Sequence, residues 1–162
     1  MNITIITAIT ILVIYTVTLC VVNKRIPNSL SQSVFMLSPS ASWIWTLVIG
    51  FVAVAVMPVM LEKADDDWKC MAFLSCFGLI LVALCPLSPK KNSIQYQTHM
   101  IGAWMCAVSS QILMAVCNSW LMLMWVPWVI AFIWITKDSK WRTKVFWAEW
   151  TCFPITFTFC LI

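Results

Sequence analysis

Charge is what this sequence has least of. Its 162 residues hold ten Lys and Arg, six Asp and Glu and a single His, so 10% are charged where a soluble domain carries about 25%. An ordinary water-soluble globule is thereby excluded. Glycine is almost as scarce, at three residues, which with a 14% aromatic content excludes collagen-like repeats and disorder. No Gly-rich phosphate loop, nucleotide fingerprint, nucleophile elbow or Cys-x-x-Cys pair occurs. One His cannot supply the nitrogen ligands of a catalytic zinc, and Asp65-Asp66-Asp67 lacks calcium-loop spacing, so neither a metal site nor a cofactor is expected. A basic stripe on a soluble surface is also missing, which excludes nucleic acid as a partner.

What is present is apolar: 62% of residues are hydrophobic, and mean hydropathy is +0.93. The reading is an all-α polytopic transmembrane helix bundle forming one domain, with almost no mass outside the bilayer. Spans are expected at about 3–22, 42–61, 70–87, 99–117, 120–136 and 145–162. The first has no basic leader and no small-residue cleavage site, so it reads as a retained helix and not a signal peptide. Residues 100–136 hold no charge. As one helix they would reach about 55 Å, against a hydrocarbon core of about 30 Å, so the chain must turn back at Asn118-Ser119 in a tight hairpin.

Basic residues set the expected orientation. Lys24 and Arg25, Lys90 and Lys91, and Lys137, Lys140, Arg142 and Lys144 fall on one side, leaving Lys63 and Lys69 on the other beside Glu62 and the three Asp. Both termini are then outside and the protein is a multi-pass protein of the inner (cytoplasmic) membrane. Nine of the Trp residues, including Trp43, Trp45, Trp120, Trp125, Trp134, Trp141 and Trp150, sit near span ends and read as interfacial anchors. All eight Cys lie in or beside apolar runs, where they act as small hydrophobes. No structural disulfide is expected, and Cys70 with Cys117 is the one pair that geometry would allow.

Small residues four apart let membrane helices approach closely. Span four carries Gly102, Cys106 and Ser110 beside Ala103 and Ala107, which marks it as the expected central helix. Glu149 is the one ionisable residue well inside a span, so it needs a partner, stays protonated or reaches the interface beside Lys144 or Arg142. His99 opens span four on the same side. If spans four and six are neighbours, the two meet at the end of a polar seam, and the expected ligand-binding residues are His99, Ser110, Gln111, Glu149 and Thr156. Between spans one and two, residues 23–37 read either as an interfacial or partly re-entrant element or as a plain loop with a capping Ser.

Ile26-Pro27-x-Ser29-x-Ser31, Thr98-His99 and Trp147-x-Glu149 together resemble landmarks of small multi-span membrane proteins of gut bacteria and their phages. That resemblance implies an architecture and no activity. The arrangement is also reminiscent of membrane hydrolases with zinc between helices, whose histidines this chain lacks. Three function classes follow: binding or transport of a lipid-like or small polar ligand in the seam; a membrane assembly subunit, effector or immunity factor acting through a protein partner or another copy of itself; and a membrane-embedded hydrolase using Glu149 and His99. Membrane lipids are expected partners in each.

Overall fold

The computed structural model describes residues 2–136 and 143–162, and among these every regular element is helical. Six α-helices follow in order: α1 Asn2–Asn23, α2 Trp43–Lys63, α3 Lys69–Leu84, α4 Ile94–Cys117, α5 Trp125–Thr136 and α6 Lys144–Leu161. α1 to α4 are long and apolar enough to cross a membrane. α5, at 12 residues, is shorter, and α6 carries Lys144 and Glu149 in its first two turns. Lys137, Lys140 and Arg142, on which part of the expected charge asymmetry rests, and Trp141, an expected interfacial anchor, lie outside the described residues.

α1 buries Ile5, Ala8, Leu12, Tyr15 and Leu19, a stripe at three- and four-residue spacing that faces α2. Its opposite face leaves Ile6, Ile14, Val17 and Val21 exposed. Such an apolar exterior suits a hydrocarbon solvent and would aggregate in water. Thr7, Thr10 and Thr16 donate to the carbonyls of Ile3, Ile6 and Leu12, four residues back, as their place in an apolar helix requires. The helix closes in a Schellman turn. Lys24 takes a positive φ of 51°, its N–H reaches the Val21 carbonyl, and the Arg25 N–H reaches that of Cys20.

The central helix is α2 and not α4. Half of the α2 window is buried against 28% for α4, because α2 packs against α1, α3 and α6. The small-residue stripe of α4 serves one pairwise contact instead. A Cβ on Gly102 would meet the Gly78 carbonyl of α3 at 2.7 Å, and one on Gly78 would meet the Gly102 carbonyl and Cys106 N at 2.6 Å. α3 and α4 therefore cross backbone to backbone.

α1, α3 and α4 end or begin with charged connections that define two ends of the bundle. The connections 24–42 and 85–93 and the start of α6 share a basic end. There the Phe146 N–H of α6 donates to the Asn28 carbonyl at 3.1 Å. At the acidic end, Lys69 and Asp66 form an ion pair at 2.6 Å in the α2–α3 turn, and the Cys117 thiol of α4 contacts Asp65 at 4.0 Å. All eight Cys are free, and Cys70 donates to the Asp67 carbonyl at 3.9 Å.

α4 ends at Cys117, and Asn118 breaks it, where the turn was expected. The return is not a tight hairpin, however. A 3-10 helix, Ser119–Met124, intervenes, and α5 packs on it and on α6. α4 also starts five residues earlier than expected, because Ser93 caps it by accepting the Tyr96 N–H at 3.1 Å. Trp45 is no interfacial anchor. It is 1% exposed, lies 6.2 Å from the Tyr15 ring and donates its indole N–H into α3.

Candidate functional site

A helix leaves its last carbonyls without partners, and inside an apolar bundle water does not supply them. At the end of α3 side chains from two other helices do. Trp45 Nε1 donates to the Val82 carbonyl at 3.2 Å, and Thr46 Oγ1 donates to that of Ala83 at 2.8 Å. His99, 1% exposed, completes the set from α4: its Nδ1 lies 2.7 Å from the Cys85 carbonyl. A carbonyl can only accept, so Nδ1 carries the proton. His99 is thus a C-terminal cap for α3.

Glu149 performs the converse task. The connection after α1 contains a short 3-10 helix, Ser31–Met36, whose first N–H groups have no partner within it. The Glu149 carboxylate, reaching across from α6, accepts the backbone N–H groups of Leu30 and Ser31. Ser29 Oγ accepts the Gln32 N–H at 3.1 Å, and the buried Ser33 hydroxyl pairs with Tyr15 at 2.9 Å. The connector is therefore not a plain exposed loop: Ser29 makes a side-chain turn onto Gln32, and Leu30, Ser33 and Val34 tuck into the bundle.

His99 and Glu149 consequently do not form the pair that the seam was built around. No ion pair joins them among the described residues, and each holds a different backbone segment.

Beside Glu149 opens a cavity of about 390 Å³, within the size range of small-molecule sites. α2 supplies one wall through Trp45, Ile49, Val52, Val56 and Met60, one helical face. α3 contributes Ser75, Cys76, Leu79 and Val82, while α4 and α6 form the other side. Walls from α2 and α3 are buried throughout; the two exposed lining residues are Trp104 of α4 (67%) and Val145 of α6 (56%). The cavity thus opens sideways, between α4 and α6, where Ile101 and Val108 also face outward.

Of the five expected ligand-binding residues, the cavity gathers Ser110, Glu149 and Thr156 and omits His99 and Gln111. Ser110 donates to Ala107 and Thr156 to Cys152, each within its own helix, so neither hydroxyl hydrogen is left for a ligand. Gln111 accepts the Trp125 indole N–H at 2.9 Å, tying α4 to the start of α5. Residues that sequence reasoning missed include Ser31, Trp45, Ser75 and Cys76. The four-residue rhythm of α2 was a visible signal, but every face of that helix is apolar. Comparison of the chain with protein-family models, curated proteins and solved structures returned no match.

Proposed function

We propose that this chain is a six-span, multi-pass protein of the inner (cytoplasmic) membrane, with both termini outside, that binds or moves a lipid-like molecule. The observation that carries this reading is the apolar cavity opening sideways between α4 and α6. A binding site for a water-borne solute would open at one end of the bundle. This one opens on the face that carries exposed Ile101, Trp104 and Val108, where the surrounding solvent is hydrocarbon.

Support for the orientation comes from the clustering of Lys24, Arg25, Lys90 and Lys91 at one end and Glu62, Asp65, Asp66 and Asp67 at the other. Native mass spectrometry of the purified full chain tests the binding reading. A retained lipid-sized adduct is expected on the wild type and its loss on Ala107→Phe, which fills the cavity from α4. A wild type with no adduct but a stoichiometric protein partner would favour the assembly-subunit reading instead.

A further inference from the structure

The cavity has a direction. Glu149 and Ser31 lie at the basic end, and Met60 and Cys76 mark the far end, with hydrocarbon side chains between them. Along α2 the lining runs from Trp45 to Met60, about 22 Å at the rise of an α-helix. That length matches a long hydrocarbon tail laid along α2. The hydroxyls of Ser110 and Thr156, with their hydrogens turned onto their own helices, interrupt this wall little.

At the basic end the chemistry changes. Glu149 is partly exposed and lines the cavity. Its carboxyl oxygens, which accept two backbone N–H groups, present their remaining lone pairs to the cavity. Val145, one turn earlier on α6, sits in the side opening, so a head group at Glu149 remains next to the mouth while its tail extends inward. Resting on the lipid-binding reading above, we infer that the ligand is a long-tailed amphiphile whose head donates hydrogen bonds to the Glu149 carboxyl oxygens. Long-chain alcohols, monoacylglycerols and long-chain amines belong to this class. Fatty-acid anions do not, because a carboxylate head offers only acceptors to oxygens that themselves accept.

Three probes of equal chain length separate the heads: hexadecanol, hexadecylamine and palmitate, offered at equal concentration to the delipidated full chain in detergent. Native mass spectrometry should show the alcohol and the amine retained over palmitate by about tenfold or more. In Glu149→Gln, whose amide oxygen still caps the connector and whose NH₂ can serve a carboxylate, that preference should collapse. Palmitate binding wild type as well as hexadecanol overturns the inference and leaves the cavity reading standing. An undiminished preference in Glu149→Gln also overturns it, since the head would then sit elsewhere. If Glu149→Gln does not fold, the wild-type ranking decides alone. Failure of all three probes on wild type, with Ala107→Phe indistinguishable, removes the lipid-binding reading itself.

Discussion

His99 and Glu149 are the two residues whose chemistry stands out from an apolar sequence, and each serves a backbone terminus. A buried polar group left unpaired costs about 1–3 kcal/mol, so His99→Ala, which strands the Cys85 carbonyl, should lower stability by that order. Glu149→Ala strands the Leu30 and Ser31 N–H groups and should cost about as much. Because the two residues serve different segments, the double variant should be additive within about 0.5 kcal/mol in SDS-titration unfolding. A larger coupling would mean that they share a network the geometry does not contain. The need of Glu149 for a partner was legible in the sequence, since a carboxylate in a span is costly. Its partner was not. Backbone N–H groups belong to every residue but proline, so nothing in the letters Leu30 and Ser31 marks them as donors.

Helix existence was legible for an analogous reason: long apolar runs bounded by charge fix where a helix can lie, and α1, α2 and α6 end within about two residues of expectation. The 3-10 helix Ser119–Met124 was invisible because its composition matches the helix that follows. Small residues on α4 announced a close crossing without naming its partner. That partner is Gly78, a lone glycine on α3. The crossing yields a contrast between glycines. Gly78→Ala and Gly102→Ala each drive a methyl onto backbone atoms and should destabilise by about 1–3 kcal/mol or more. At Gly50 a new Cβ would meet only the Ala83 side chain at 3.9 Å, so Gly50→Ala should be neutral or stabilise by about 0.5–1 kcal/mol. Thermal unfolding in detergent ranks the three; equal effects at all three sites would remove the backbone contact as the cause.

For the molecule as a whole, the proposed orientation makes a direct prediction. A reporter fused after Ile162 should read as outside, and one placed in the 85–93 connection as cytoplasmic. The reverse pattern would move the cavity mouth to the other leaflet. One further feature concerns the order in which the protein can be assembled. Glu149 and Leu30 are 119 residues apart in the chain. At a synthesis rate of about 5–20 residues per second, roughly 6–24 s separate their emergence from the ribosome. Until α6 arrives, the Leu30 and Ser31 donors must be satisfied by water or lipid head groups, and the wall between α4 and the rest of the bundle is incomplete. Insertion of the last helix is then the event that locks the first connector, much as a keystone locks an arch. A chain halted before it would leave that connector unlatched, with its two N–H donors still unclaimed by Glu149.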